Sequence, residues 1–258
     1  MVFYLHNALK KFFPDAPFDQ LMALKGDCFR QKEGRFTQKI ALGNKNYFIK
    51  QHKGIGWIEI FKNLFQLRLP IMSAENEWRA IEKCRALHLA TATVVAFGKR
   101  GMNPATLQSF VLMEELPPSS SLETLVENFK NHPPTFIFKQ NLIKKVAHIA
   151  RTLHENGINH RDFYLCHFLL DLHASPEKLY LIDLHRAQIR KKTPLRWIIK
   201  DLAGLYFSSK EAKLTQRDLF RFMKNYHQKS LRDILSHEKI LKKIVLRGEN
   251  LYRDSNKK

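Results

Sequence analysis

The chain has 258 residues, 44% of them apolar, and carries 44 Lys and Arg against 24 Asp and Glu, a formal charge of +20. That apolar share excludes a disordered chain, and the length allows one large domain or two lobes with a substantial core. The charge favours an anionic partner, whether nucleic acid, an anionic membrane surface or a phosphorylated substrate, without choosing one. The three cysteines, Cys28, Cys84 and Cys166, are odd in number and lack C-x-x-C spacing. They argue against a disulfide framework and fit a reducing cytosol. Residues 1–6 lack the features of a secretory signal, and no apolar stretch is long enough to span a bilayer. The sequence therefore predicts a cytoplasmic protein, with any membrane contact peripheral.

In chain order, residues 1–25 read as mainly helical. From residue 28 the period changes. Antiparallel strands are predicted over 28–32, 36–42 and 47–50, with a tight turn at Glu33-Gly34-Arg35 and a second turn signal at Gly43-Asn44-Lys45-Asn46. The last strand carries Lys50. Residues 55–69 form a helix with Trp57, Ile60, Phe61, Leu64 and Phe65 on one broad face. Two readings stay open: a core helix, or an interfacial helix whose aromatics are flanked by Lys53, Lys62 and Arg68. Ser73 is a suitable N-cap for the next helix, which carries Glu75, Glu77, Trp78, Ile81 and Cys84. Strands are predicted at 94–97 and 107–113, around a turn at Gly101-Met102-Asn103-Pro104. Leu116-Pro117-Pro118-Ser119-Ser120-Ser121 is the clearest shift of composition and marks the expected boundary between lobes 1–116 and 117–258. Leu142, Val146, Ile149, Ala150 and Leu153 keep a 3.6-residue period that stops at Gly157. Residues 195–253 read as helical again, before a basic tail.

The long helix delivers the chain into Ile158-Asn159-His160-Arg161-Asp162, a strand end opening into a charged loop, followed by a buried strand at 168–170. Leu179-Tyr180-Leu181-Ile182-Asp183 is a second short strand ending in a carboxylate. Asp162 and Asp183 are thus presented on loops at strand ends, where a rigid scaffold can hold polar groups for chemistry. His160-Arg161-Asp162 is the catalytic-loop triplet of protein kinases, and Asp183 follows where their metal-binding Asp would. A triplet arises by chance. The ordered set of strand Lys50, helix Glu77, two strands, linker, long helix, Asp162, strand pair and Asp183 does not. It resembles the protein-kinase arrangement and implies an α+β, bilobal protein-kinase-like fold, with a small β-rich N-lobe and a larger, mainly α C-lobe. In that resemblance Lys50 holds the phosphates of ATP and Glu77 fixes its ammonium, with Glu75 as a rival partner. Asp183 binds Mg²⁺, and Asp162 orients the acceptor hydroxyl and takes its proton.

Longer segments narrow the resemblance. Residues 159–170, Ile182-Asp183-Leu184-His185-Arg186-Ala187-Gln188-Ile189-Arg190, Pro194-Leu195-Arg196-Trp197 and Lys200-Asp201-Leu202-Ala203-Gly204 resemble the bacterial lipopolysaccharide core heptose(I) kinase family. So do Tyr47-Phe48-Ile49-Lys50, Gly54-Ile55-Gly56-Trp57 and Asn76-Glu77-Trp78-Arg79. The resemblance covers roughly residues 26–225. It implies transfer of the ATP γ-phosphate to O4 of the first heptose of the lipopolysaccharide inner core. It makes Asp201 the buried acid that braces the catalytic loop, and the backbone from Glu114 to Leu116 the hinge for adenine. His160 and Arg161 are expected to be structural.

Two departures from ordinary protein kinases stand out. His167 replaces the Asn expected five residues after Asp162; it is expected to contact a metal, phosphate or acceptor. The phosphate loop has Gly34 alone, so Arg30 or Arg35 would supply by charge what backbone N–H groups supply elsewhere. Arg186, Arg190 and Arg196, in a basic run with Lys191, Lys192 and Lys200, are expected to bind the anionic acceptor. Cys166, His167, His160 and His185 match no zinc-site spacing.

The implied partners are ATP, Mg²⁺, the inner-core acceptor, the anionic inner-membrane surface at its cytoplasmic face and, by family resemblance, acyl carrier protein. Rival readings are an inner-core Kdo kinase, a protein-tyrosine kinase, and a non-catalytic kinase-like scaffold at the membrane. A nucleic-acid-binding protein has only charge in its favour, so nucleic acid is not expected.

Overall fold

The computed structural model describes residues 1–32, 34–65, 71–129, 131–235 and 238–255. Glu33 of the predicted turn, residues 66–69 of the predicted helix with Arg68, and the last three residues of the basic tail lie outside them. The chain divides into two compact units. The first comprises Met1–Arg85, Thr91–Pro117 and Leu184–Arg186; the second comprises Ala86–Ala90, Pro118–Asp183 and Ala187–Lys258.

The first unit is built on a six-stranded antiparallel sheet. In chain order its elements are β1 (Val2–Leu5), a 3-10 turn (Asn7–Phe12), α1 (Pro17–Ala23), β2 (Asp27–Lys32), β3 (Arg35–Leu42), β4 (Lys45–His52), α2 (Gly56–Phe65), α3 (Glu75–Ala86), β5 (Val94–Arg100) and β6 (Gln108–Glu114). The strand order is β1-β5-β6-β4-β3-β2. The expected mainly helical start is corrected at its first residues. Val2-Phe3-Tyr4-Leu5 forms an edge strand against β5, from Val2 opposite Lys99 to Leu5 opposite Ala96. Its β-branched and aromatic residues suit a pleated surface better than a helix, and Pro17 opens the one α-helix of this stretch.

Phe18, Leu21 and Met22 of α1 pack with Leu9, Phe13, Ile40, Ile49, Phe110 and Leu112 as one buried cluster. Removing each such side chain from water stabilises the fold by about 1.5–3 kcal/mol. On another part of the sheet, Trp78 of α3 stacks on Phe97 at 4.2 Å and 11°. Cys84, deeper on α3, has its thiol pushed up to about 12 by burial. Gly34 closes the β2–β3 turn with φ 72°, and a Cβ there would lie 2.4 Å from the Gly54 carbonyl oxygen. Only glycine fits that position.

The second unit is mainly helical. Its elements are β7 (Ser119–Ser121), α4 (Leu122–Asn128), α5 (Phe136–Glu155), β8 (Ile158–Asn159), a 3-10 turn (Leu165–His167), β9 (Phe168–Asp171), β10 (Leu179–Leu181), β11 (Gln188–Ile189), α6 (Leu195–Ser208), α7 (Gln216–His227), α8 (Leu231–Leu235) and α9 (Glu238–Ser255). The predicted linker is thus partly a strand, because Ser119–Ser121 pairs antiparallel with β9. α5 starts at the Thr135 cap, which accepts from Phe138 N, and buries Leu142, Val146, Ala147, Ile149, Ala150 and Leu153. It ends at Glu155, two residues before Gly157, whose φ is 77° and at which a Cβ would collide with the Arg190 carbonyl oxygen at 1.8 Å. That close approach brings β11 onto β8 on either side of the catalytic-loop sequence. An apolar cavity of about 340 Å³, lined by Leu122, Val126, Leu142, Leu205, Phe222 and Ile244, lies among the helices of this unit.

Candidate active site

In the first unit, β4 places Lys50 opposite Val111 of β6 and Thr37 of β3. Lys50 Nζ donates to Glu77 Oε1 on α3 at 2.5 Å. The Glu77 side chain is 3% exposed and that of Lys50 21%. Glu77 Oε2 is buried with no hydrogen-bond partner among the described residues. The rival, Glu75, is engaged elsewhere: it pairs with Lys99 at 2.5 Å and Arg79 at 2.6 Å. The hydrogen bond from Lys99 holds its carboxyl below the usual range.

Arg35 opens β3 opposite His52. At the expected hinge, Glu114 N donates to Thr93 O and Glu115 N to Asn46 O. Glu114 also takes an ion pair from Lys45. The Leu116 N–H donates to no backbone carbonyl among the described residues. Arg186 belongs to this unit, on a segment tied to α3 by the Asn76 side-chain amide donating to His185 O at 3.0 Å.

In the second unit the loop after β8 is held from beneath by one carboxylate. Asp201, on α6 and 1% exposed, accepts from His160 N at 2.6 Å through Oδ2 and from Arg161 N at 2.8 Å through Oδ1. These bonds secure Arg161 at φ 75°, in a region side chains rarely adopt. His160 is fully buried, which lowers its pKa and keeps the ring neutral. Its Nε2 donates to Ile182 O at 3.0 Å. Ile182 N in turn donates to His167 O at 3.0 Å, so the residue before Asp183 is clipped to the catalytic loop. His167 Nδ1 donates to Asp162 O at 2.7 Å, and His167 Nε2 lies 3.5 Å from Asp183 Oδ2. The Asp162 backbone, the His167 ring and the Asp183 carboxylate are therefore linked in a row, with His160, Arg161 and Asp201 holding the loop.

Cys166 next to His167 is no soft ligand. Burial, helped by Glu123, pushes its thiol up to about 11. All three cysteines are free, and among the described residues no three metal-binding side chains come together.

Some participants had no local signal in the sequence. His154 on α5 reaches Asp201 Oδ2 with Nε2 at 3.4 Å and bonds the Tyr226 hydroxyl with Nδ1 at 2.8 Å. Trp197 gathers the basic run: Arg161, Arg190, Arg196 and Lys200 all lie within 6 Å of its ring centre. Arg190 is also committed to the side-chain oxygens of Asn159 and Gln188, each at 2.6 Å.

Known proteins resemble this chain over most of its length. The model of the lipopolysaccharide kinase (Kdo/WaaP) family matches residues 19–226. The lipopolysaccharide core heptose(I) kinase WaaP of Escherichia coli is 47% identical over 86% of this chain and 85% of its own. The protein of the same name from Pseudomonas aeruginosa is 43% identical over 92% and 90%. A solved structure described as WaaP in complex with acyl carrier protein superposes with a TM-score of 0.85 at 36% identity, covering 98% of this chain and all of that one. It carries the same bilobal, kinase-like α+β fold. The chain belongs to the lipopolysaccharide kinase (Kdo/WaaP) family.

Proposed function

We propose that the protein transfers the γ-phosphoryl group of ATP to O4 of the first heptose of the lipopolysaccharide inner core. The observation that carries this reading is identity of 43–47% to heptose(I) kinases over 85–90% of their length. A kinase of this family uses ATP, and the residues present suit it. Lys50, oriented by buried Glu77, is a cation for the α- and β-phosphates, while Gly34 and Arg35 lie at the turn expected to cover them. Glu114 to Leu116 offer backbone groups to adenine. Asp162 is the base: it accepts the hydroxyl proton as the acceptor oxygen bonds to phosphorus and the bond to the ADP oxygen breaks.

Mg²⁺ binds commonly through one or two carboxylates and substrate phosphates. The oxygen-bearing Asp183, adjoining His167, fits that mode. Once bound, the ion would neutralise charge on the phosphates. Arg190 and Arg196, with Arg161 and Lys200 around the same indole, supply positive charge for an anionic acceptor. Arg186 would contribute from the first unit.

A lipid-linked acceptor implies peripheral work at the cytoplasmic face of the inner membrane. No helix among the described residues is long and apolar enough to cross a membrane. Contact with the anionic surface is assigned to α2, where Ile58 and Phe65 are 87% and 88% exposed. Acyl carrier protein is carried over as a partner from the solved relative, and the charge of +20 suits an acidic carrier.

The test offers labelled ATP with three acceptors: inner core lacking heptose phosphate, the same core already phosphorylated at O4, and a Kdo-only core. Label is expected on the first alone. Transfer to the Kdo-only core would move the assignment to the Kdo side of the family, and transfer to none would refute it.

A further inference from the structure

Asp201 braces the loop, and Asp201 has a support of its own. His154, 5% exposed on α5, places Nε2 3.4 Å from Asp201 Oδ2. Its Nδ1 lies 2.8 Å from the hydroxyl of Tyr226, which is 7% exposed in the last turn of α7. A phenol hydroxyl donates or accepts, so this bond forms whichever way the ring is protonated. The χ2 torsion of histidine is soft, and packing alone leaves such a ring room to tilt. The buried bond to Tyr226 selects one angle.

Tyr226 is itself confined. Its ring lies parallel to Phe222, with centres 6.0 Å apart at 8°, and edge-on to His227 at 4.8 Å and 85°. Burial, with the charges of Glu155 and Asp201, raises the pKa of its hydroxyl, so the phenol keeps its proton. His154 also reaches the loop through its ring face. It lies 6.3 Å from the ring of Phe163, which is 1% exposed and directly follows Asp162. Phe163 in turn packs on His160 at 5.7 Å and Phe168 at 5.0 Å. Asp162 is thus supported from both sides. The N–H groups before it rest on Asp201 and the ring after it on His154, and both supports meet at the imidazole that Tyr226 holds.

We infer that the Tyr226 hydroxyl is a positioning group for phosphoryl transfer: by fixing the His154 ring it holds Asp201 and Phe163, and with them the loop that presents Asp162. The inference rests on the kinase reading above. Tyr226 acts only through His154, so its loss should loosen the loop without touching the Lys50–Glu77 pair, which lies in the other unit.

Tyr226→Phe removes one oxygen and keeps the ring stack. Amide hydrogen exchange of the full-length protein reads the brace without any reaction. The His160 and Arg161 amides should exchange at least about tenfold faster in the variant, while those of β4 keep their rates. In steady-state transfer from ATP, kcat should fall at least about fivefold with the KM for ATP changed less than about twofold. In an Asp201→Asn background the same substitution should cost less than about twofold in kcat, because the group it acts through is already altered. Unchanged exchange at both amides, an unchanged kcat, or full additivity of the two substitutions would overturn the inference alone. Faster exchange spread evenly over α5, α6 and α7 would mark a general loosening of the fold and overturn it equally. Failure of the wild type to transfer phosphate to any acceptor would refute the kinase reading, and the exchange rates would then decide the brace by themselves.

Discussion

Lys50 and Glu77 differ in their access to water, and that decides what their removal does. Glu77 is almost wholly withdrawn from water and is hydrogen-bonded to the Lys50 ammonium. Lys50→Met should therefore cost about 3 kcal/mol in denaturant unfolding, because it leaves a buried carboxylate without its cation. A variant as stable as the wild type would show that the pair is not coupled to the fold. Asp201 is a different case, since both its oxygens serve backbone N–H groups of the catalytic loop. Asp201→Asn turns one acceptor into a donor facing an N–H. It should cost about 1–3 kcal/mol and lower kcat more than it raises the KM for ATP. An unchanged kcat would remove its bracing role. The Lys50–Glu77 contact and the Asp201 contacts with the loop backbone were legible because these residues sit in short segments of fixed order. His154 and Tyr226 were not. His154 reaches Asp201 across 47 residues and Tyr226 reaches His154 across 72, from separate helices, and no local pattern links them.

At the scale of elements, α2 carries the clearest physical anomaly. Ile60 is 5% exposed, but Trp57, Ile58, Phe61, Leu64 and Phe65 remain open to solvent. The core-helix alternative therefore fails for its described part, as amphipathic spacing alone could not decide which face would be covered. Ile58→Glu or Phe65→Glu should weaken binding to anionic vesicles at least about tenfold in sedimentation, in line with the apolar transfer energy lost. Unaltered binding would move the membrane contact elsewhere. The strands from β2 to β6 were legible from alternation and turn residues, and α5 from its 3.6-residue period. β1 was missed because four residues give too short a window for a period of two, and its partner β5 lies over ninety residues away.

For the whole molecule, pH and charge act together. His52, 5% exposed, has its pKa pushed down to about 3 by burial and by the charges of Arg35, Lys50 and His185. As pH falls from 6.5 toward 3 the unfolded chain binds a proton that the folded chain refuses. Stability should therefore drop by up to about 1.4 kcal/mol per pH unit from this group. Thermal midpoints at pH 7 and pH 5 should differ less in His52→Gln than in the wild type; equal slopes would contradict the burial argument. The bilobal class was readable because the kinase-like order of motifs extends over most of the chain. The central claim is that Asp162 accepts the acceptor's proton in phosphoryl transfer to heptose. It is tested most directly by single-turnover transfer of labelled phosphate from ATP to inner-core lipopolysaccharide lacking the heptose phosphate. Asp162→Asn should bind ATP as the wild type does and transfer at least about 100-fold more slowly. Transfer at the wild-type rate would contradict the account.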